Sequence, residues 1–314
     1  LFILSFLFML IFISLFVFFV FHKSDKEEII SFSIFSKETS ILINNWLMMY
    51  FLSVVLIGTV YPIFLDVISS EQISVGPPFY HKLIIPFLIP FLIFMAIGPQ
   101  FRWIKSTRLE GKKYLVSFLI VSFAISFLII KNFGNNFLIN TILIGSALYL
   151  FFITVRDFFK KRSQSFPQNL AHFGFSLLIL SILFNNIFSS EVITNMRVGE
   201  TFKNKEFTIE FNDLRKFEEN NYISFKGYFL IKDTNSKEKL EPELRVYNQP
   251  NIVTSEADIK ISILSDKFIT MNTVQNEEYF NIRYQVKPFM LWIWISVLLI
   301  SFGGSISLFK KKSL

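Results

Sequence analysis

His172 is the residue whose type and position most directly suggest chemistry. It lies early in a long apolar run, in the stretch Asn169-Leu170-Ala171-His172-Phe173-Gly174. Ser165 and Pro167 are typical of a helix start, which places His172 about one to two turns inside a spanning helix. Ionisable residues at that depth are uncommon and tend to line functional interiors. Apolar surroundings favour the neutral imidazole, which is the form that ligates metals.

A second interpretation of His172 stays open, in which the imidazole is hydrogen-bonded between helices and binds no metal. Ser176 follows four residues later on the same helix face, and Gly174 would let a flat ring or another helix approach. The other two histidines suggest less. We expect His81 in an outer loop at the membrane interface, and His22 as an interface anchor that ends the first helix.

Charged residues also stand out at Glu243 and Arg245, in Pro242-Glu243-Leu244-Arg245-Val246-Tyr247, and at Glu256, in Thr254-Ser255-Glu256-Ala257. Residues two apart on a strand share a face. An ordinary cross-strand charge pattern explains them as well as a functional site does. There is no Cys, so disulfides and thiolate chemistry are excluded within these 314 residues. Motifs for phosphate binding or hydrolysis are absent from the sequence.

The elements that carry these residues are predicted to be mostly membrane-spanning. Hydrophobic residues make up 52% of the chain, and the mean hydropathy is +0.50, which is unusual for a water-soluble protein. Apolar runs long enough to span a bilayer predict about seven helices. These runs cover 2–21, 41–65, 83–98, 114–130, 137–155, 168–188 and 288–309.

The charges of the connecting loops predict the orientation. Alternate loops carry fifteen Lys or Arg residues, whereas the opposite short loops hold only Lys82 and Lys131. The basic loops should face the cytoplasm, or the matrix in an organelle. The net charge of +7 therefore reflects membrane orientation, and we expect no nucleic-acid partner.

Residues 189–287 differ in kind, because they hold sixteen of the 24 acids and show strand-like alternation. Alternation at 207–211, 222–231, 258–264 and 280–286 predicts about six short strands in a small barrel or sandwich-like domain. The predicted class is thus a mainly α membrane protein with a β-rich extracytoplasmic domain. Its parts are 1–188 with six spans, 189–287, and 288–314 with the last span and a basic tail.

Motifs along the chain, in this order, resemble the C-terminal half of the CcmF family of cytochrome c haem lyase proteins. The motifs are Ser36-Lys37-Glu38 before Asn44-Asn45, Gly58-Thr59-Val60-Tyr61-Pro62, Ile73-Ser74-Val75-Gly76-Pro77-Pro78, Gly98-Pro99 before Arg102-Trp103, Ala171-His172-Phe173-Gly174, Val198-Gly199-Glu200, Pro242–Tyr247, Thr254–Ala257, Lys287-Pro288-Phe289, Trp292-Ile293-Trp294 and Gly303-Gly304. We expect structural roles within these motifs for Gly76, Pro77, Pro78, Glu243, Arg245, Glu256, Trp292 and Trp294.

The resemblance implies a function in cytochrome c maturation. It maps a family histidine onto His172, as an axial ligand of the iron of a transmembrane haem b. It also implies haem transport from the chaperone CcmE, a CcmH-type thiol-reducing partner, and attachment of haem to the Cys-x-x-Cys-His thiols of apocytochrome c. Electrons would come from quinol, and the setting would be a bacterial or mitochondrial inner membrane. No catalytic residue is assigned.

The resemblance also implies parts that this sequence does not hold. The chain opens with Leu1 inside an apolar run, so we expect a fragment or a split-gene product that pairs with an N-terminal half. That half would carry the second axial ligand and a tryptophan-rich loop. Alone, this chain is expected to be inactive as a lyase. The rival interpretations are a membrane transporter, with Pro86 and Pro90 breaking a helix, and a non-catalytic assembly scaffold.

Overall fold

The computed structural model describes residues 2–21, 33–69, 73–104, 112–133, 137–159, 166–204, 207–233, 237–274 and 278–309. The helices are α1 (Phe2–Phe21), α2 (Lys37–Ser69), α3 (Pro77–Ile97), α4 (Lys112–Phe133), α5 (Phe137–Phe159), α6 (Phe166–Phe188) and α7 (Met290–Phe309), with a 3-10 turn at Gly98–Gln100. The strands are β1 (Ser190–Met196), β2 (Thr201–Lys203), β3 (Phe207–Glu218), β4 (Tyr222–Asp233), β5 (Lys237–Leu240), β6 (Glu243–Tyr247), β7 (Ile252–Glu256), β8 (Asp258–Lys260), β9 (Ser265–Thr273) and β10 (Phe280–Pro288).

Six helices, α2 to α7, are long and apolar enough to cross a bilayer. The first helix is equally apolar, but the part whose side chains are described, Ser5–Phe21, is shorter than a full span. Together with the strands that lie between α6 and α7, these helices confirm the predicted class of a mainly α membrane protein with a β-rich domain.

The centre of the helical bundle is α5. In the most apolar stretch of α5, 56% of the residues are buried, against 11% to 22% in the corresponding stretches of the other spanning helices. Its Ala147, Tyr149, Leu150 and Ile153 form the core together with residues of α3, α4 and α6. Small side chains such as Ala147 let neighbouring helices approach closely, which is how helices associate in lipid.

Helix α3 begins at Gly76-Pro77-Pro78 for a local reason. Gly76 is the extended N-cap, and the two prolines fill the first helical positions, where their missing N–H groups cost nothing. Pro86 and Pro90 then lie inside a helix that continues to Ile97. The broken helix that a transporter interpretation would use is therefore not found in α3.

The strands form two antiparallel sheets. The smaller sheet has the order β1-β10-β9-β8, and the larger has β2-β3-β4-β6-β7 with β5 paired to β4. Phe211 and Phe229 of the larger sheet stack with ring centroids 4.3 Å apart. They meet Ile269, Met271 and Ile282 of the smaller sheet in one buried core. Two sheets packed face to face make the domain a sandwich and not a barrel.

Three sequence predictions are wrong within this domain and its exit. The described residues form ten strands, where about six were expected. The strand predicted over 258–264 stops at Lys260. Pro288 ends β10 and does not begin the last helix. Phe289 follows with φ of 61°, and the chain enters α7 at Met290.

Hydrogen bonds join the sandwich to the bundle at this exit. The Phe289 backbone N–H donates to the Leu264 carbonyl at 2.8 Å. The Trp292 indole donates to the Ile263 carbonyl at 3.0 Å, and the Asn185 amide of α6 donates to the Pro288 carbonyl at 2.6 Å. The end of α6 and the start of α7 are thus held to the same edge of the sandwich.

Candidate functional site

His172 lines a partly open cavity of about 140 Å³. The cavity lies where the start of α2, the end of α3 and the start of α6 meet. By the predicted orientation this is the inner side of the membrane. Its lining residues are Lys37, Ser40, Ile41, Asn44, Phe94, Met95, Gly98, Pro99, Gln168 and His172.

Two residues of α6 reach the cavity, and they are four apart. Gln168 and His172 therefore share one helix face, and Pro167 lies in the first turn as predicted. Ser165 lies outside the described residues. His172 is half-buried, and within the described part of the chain no hydrogen bond engages its imidazole. The ring is thus held at the cavity wall with its nitrogens available to a ligand.

Two polar atoms of α2 are buried at the same cavity without a hydrogen-bond partner among the described residues. They are the Ser40 Oγ and the Asn44 Oδ1. Ser40 is only 5% exposed. Its hydroxyl lies against Gly98, where a Cβ would collide with it, so the absence of a side chain keeps α2 and α3 close. Buried polar groups nearly always have partners in native proteins, so these two atoms mark a place where a ligand or water belongs.

A hydrogen-bonded cluster around Asp157 braces the two walls of the cavity. Gln100 donates to the Asp157 carboxylate at 2.8 Å and accepts from the Tyr114 hydroxyl at 2.8 Å. Arg156 pairs with the same carboxylate at 3.1 Å and lies over the Tyr114 ring at 3.3 Å. Asn169 donates to the Asp157 carbonyl at 3.5 Å. The cluster thereby ties the turn after α3 to α4, α5 and α6.

Ser176 and Gly174 face away from the cavity. Ser176 donates to the Phe173 carbonyl at 2.8 Å, and its hydroxyl lies 3.4 Å from that of Thr154 on α5. A Cβ at Gly174 would lie 2.9 Å from Ile300 and 3.0 Å from Ser296, both on α7. Of the two uses expected for Gly174, the structure therefore supports the approach of a helix and not that of a flat ring.

The other histidines are separate from this cavity. His81 lies in the first turns of α3, so the prediction of an outer loop is wrong for it. His22 lies outside the described residues. No group of three His, Asp or Glu side chains in the described part of the chain is arranged to hold a metal ion. His172 is the one His, Asp or Glu among the described residues that line the cavity.

The predicted Glu243 and Arg245 pair exists in the β-sandwich. Arg245 donates to Glu243 at 3.0 Å, and Lys226 on β4 pairs with the same carboxylate at 3.1 Å. Burial alone would raise the pKa of Glu243, but the hydrogen bonds from Lys226 and Arg245 outweigh it and lower that pKa. The same hydrogen bond has the opposite effect on the base, since it raises the pKa of Arg245. The Arg245 guanidinium lies 5.1 Å from the Tyr222 ring centroid.

Glu256 and the two family-motif tryptophans lie outside this ion-pair group. Glu256 is opposite Glu243 in the strand register and accepts from Thr254 at 3.2 Å. Trp292 joins α7 to the sandwich, and Trp294 is exposed on α7. These contacts suit structural roles and place none of the three residues at the cavity.

Sequence reasoning missed most of the cavity. Ser40 and Gln168 were not singled out, and Asn44 was noted only within a family motif, although each is a polar residue at helical spacing within an apolar helix. Asp157 was missed because the fifth span was expected to end at residue 155, whereas α5 continues to Phe159. The signal that could have found these residues is polar side chains three, four or seven positions apart near a helix start.

Comparisons with known proteins find the same group of proteins for the β-sandwich and for most of the chain. The family model of the CcmF C-terminal beta-sandwich matches residues 187–288. The cytochrome c-type biogenesis protein CcmF of Pseudomonas fluorescens is 29% identical over 90% of this chain and 45% of the relative. That of Escherichia coli (strain K12) is 24% identical over 89% and 45%, and NrfE of Haemophilus influenzae is 23% identical over 91% and 46%.

A solved structure has the same fold. It is described as cytochrome c heme lyase CcmF and superposes with a TM-score of 0.67 at 19% identity, covering 86% of this chain and 45% of that one. The chain spans just under half the length of the curated relatives it matches. The predicted resemblance is confirmed: the chain is a relative of the C-terminal half of CcmF-family cytochrome c-type biogenesis proteins and carries their C-terminal β-sandwich.

Proposed function

We propose that this chain is a component of a cytochrome c haem lyase and binds haem b in the membrane with His172 as one axial ligand of the iron. The observation that carries the proposal is the His172 imidazole at the wall of a cavity, with no hydrogen bond from the described residues. A histidine that served only to join helices would have a polar partner on a neighbouring helix. An axial haem ligand needs a ring nitrogen free for iron.

The described residues fit one side of such a cofactor. Ile41, Phe94 and Met95 supply an apolar wall beside the imidazole. Pockets that enclose drug-sized ligands measure about 300–1,000 Å³, so a cavity of about 140 Å³ covers part of a porphyrin. The second wall and the second axial ligand would then come from the half of the family that this chain does not match.

The chain's own residues bind and orient the cofactor. Haem, when bound, supplies the one-electron chemistry that protein side chains lack. His172 is fixed in direction because α6 is packed against α5 at Ser176 and against α7 at Gly174. The Asp157 cluster holds the turn that carries Gly98 and Pro99 against the cavity. Phe94 and Met95 would place apolar side chains against a bound haem and so limit the access of water to it.

The partners follow from the same proposal. The chain would receive haem delivered by the chaperone CcmE and support its attachment to the Cys-x-x-Cys-His thiols of apocytochrome c, with a CcmH-type subunit keeping those thiols reduced and quinol as the electron source. The β-sandwich would lie on the periplasmic or outer side of the inner membrane. Its larger sheet presents Tyr222, Tyr247 and Arg245 on one face, and interfaces are enriched in these residue types.

The test is an optical spectrum of the protein purified from its native membrane together with the chains that accompany it. Dithionite should produce a b-type spectrum in the wild type, and His172→Ala should lose it or convert it to a weakened high-spin form. Added imidazole should restore part of the signal, since it replaces the missing ligand. A structural role for His172 would not give this rescue.

His81→Ala is the matched control, because His81 lies on α3 and is not among the residues that line the cavity. It should leave the spectrum unchanged. An unchanged b-type spectrum in His172→Ala would remove His172 as a ligand and overturn the proposal.

A further inference from the structure

Apart from His172 itself, the polar side chains that line the cavity come from the starts of α2 and α6, and they are called its polar end below. Lys37, Ser40 and Asn44 lie in the first two turns of α2, and Gln168 lies in the first turn of α6. The apolar lining residues Phe94 and Met95 come from α3. The cavity therefore suits an amphiphilic ligand, with one polar end and one apolar body.

The polar end can donate hydrogen bonds. Ser40 Oγ carries a hydroxyl hydrogen and has no partner among the described residues. Asn44 presents an unpartnered amide oxygen there, and rotation of the amide by half a turn brings its NH₂ group to the same place. Ser40 is 95% buried, since 5% of its surface is exposed. A ligand that accepts hydrogen bonds would satisfy both groups.

Electrostatics at this end favour a negative ligand. Lys37 is one of the lining residues, and its ammonium lies 5.0 Å from the Trp103 ring centroid, beside the cavity. The starts of α2 and α6 both contribute the positive ends of their helix dipoles. The acid of this turn, Glu38, accepts from the Ile104 backbone N–H at 2.8 Å and is not among the lining residues. The lining set therefore contains a cation and no carboxylate.

We propose that Lys37, Ser40, Asn44 and Gln168 form the site that binds the carboxylate groups of the porphyrin, which orients the macrocycle with its carboxylates toward the starts of α2 and α6. This inference rests on the proposed function, since it names the part of the ligand that this end of the cavity recognises. The apolar body of the porphyrin then lies along Phe94 and Met95, within reach of His172.

The test compares ferric haem b with its dimethyl ester, in which both carboxylates are blocked. Each is titrated into the haem-stripped protein, purified from its membrane with its accompanying chains, and followed by its Soret absorbance. The wild type should bind haem b about tenfold or more tightly than the ester, because a charge-assisted hydrogen bond is worth at least that factor.

Asn44→Asp is the decisive variant, because it keeps the shape of the side chain and adds a negative charge. It should weaken binding of haem b by about tenfold and change binding of the ester by less than about twofold. Ser40→Ala should act in the same direction by several-fold. Ser53→Ala is the matched control, since Ser53 lies on the exposed face of α2 and donates to the Met49 carbonyl.

The outcomes separate the two proposals. Equal binding of haem b and its ester by the wild type, with both lost in His172→Ala, would overturn this inference and leave the proposed function standing. Binding of both compounds that is unaffected by His172→Ala, or no binding of either, would overturn the proposed function itself. Equal weakening of both compounds in Asn44→Asp would show a defect of shape and would also overturn the inference.

Discussion

At Glu243 of the β-sandwich, burial and ion pairing have opposite effects on the pKa of the carboxyl group. Its side chain is 21% exposed and accepts from both Lys226 and Arg245. The hydrogen bonds outweigh the desolvation, so the pKa of Glu243 lies below its ordinary value of 4.5. A carboxyl whose pKa is lower in the folded state stabilises that state above its unfolded pKa. This contribution is lost as the pH falls from about 4.5 through the folded pKa.

We therefore expect Glu243→Gln to lower the free energy of unfolding of the sandwich by about 1 kcal/mol at pH 7. The variant should also lose less stability than the wild type between pH 5 and pH 3. Urea unfolding in detergent, followed by the β-sheet circular dichroism signal, measures both effects. Glu219→Gln, at an exposed position in the β3–β4 turn, is the control and should follow the wild type. Parallel pH curves for Glu243→Gln and wild type would contradict the argument.

The sequence predicted some of these individual residues and missed others for a physical reason. The Glu243 and Arg245 pair could be predicted because residues two apart on a strand must share a face. Lys226 could not, since its contact with Glu243 depends on the register between β4 and β6. His172 was found by its type and by its depth in a predicted span, whereas a binding role for Ser40 and Asn44 is indicated only by the lack of a hydrogen-bond partner among the described residues.

At the scale of the elements, the adjacent glycines Gly303 and Gly304 of α7 have different surroundings. A Cβ at Gly303 would lie 2.8 Å from the Ala171 nitrogen and 2.9 Å from the Pro167 carbonyl oxygen, both on the α6 backbone. A Cβ at Gly304 would meet no atom within 4 Å. Gly303 therefore sets the distance between the two helices, and it does so one residue before His172 along α6.

We expect Gly303→Ala to separate α6 from α7 and to destabilise the bundle by about 1–3 kcal/mol. Thermal unfolding in detergent should show a melting temperature several degrees lower than that of the wild type. Binding of haem b should weaken as well, because the helix that carries His172 is displaced. Gly304→Ala is the neighbouring control and should match the wild type in both measurements. Equal behaviour of the two variants would contradict the close packing.

Helix positions could largely be predicted from the sequence, but their ends and contacts could not. Apolar length gave the spans, since a bilayer demands about 20 residues. It could not place Asp157 inside α5, because the adjacent Arg156 suggested that the helix had ended. In the structure Arg156 stays within the helix, where it pairs with the Asp157 carboxylate and lies over the Tyr114 ring. The strands β2 and β5 were missed because they are only three and four residues long, which is too short for an alternating pattern to show.

At the scale of the whole molecule, the distribution of basic residues predicts which side each part faces. The chain contains no Cys, so single cysteines can be added to a background that has no thiol. We expect Asn220→Cys, at the exposed β3–β4 turn, to react with a membrane-impermeant maleimide in intact cells or right-side-out vesicles. Trp103→Cys, at an exposed position in the basic segment after α3, should react only after the membrane is permeabilised. The reverse labelling pattern would contradict the proposed orientation of both the sandwich and the His172 cavity.

The connectivity of the sandwich limits how far changes in its sequence affect the helices. Strands β1 and β10 are paired with each other, with Ser190 opposite Val286, and they continue directly into α6 and α7. The sandwich therefore connects to the helices through one pair of adjacent strands, between α6 and α7. Sequence changes within the sandwich that keep β1 and β10 paired should thus leave the spacing of α6 and α7, and with it the position of His172, unaltered.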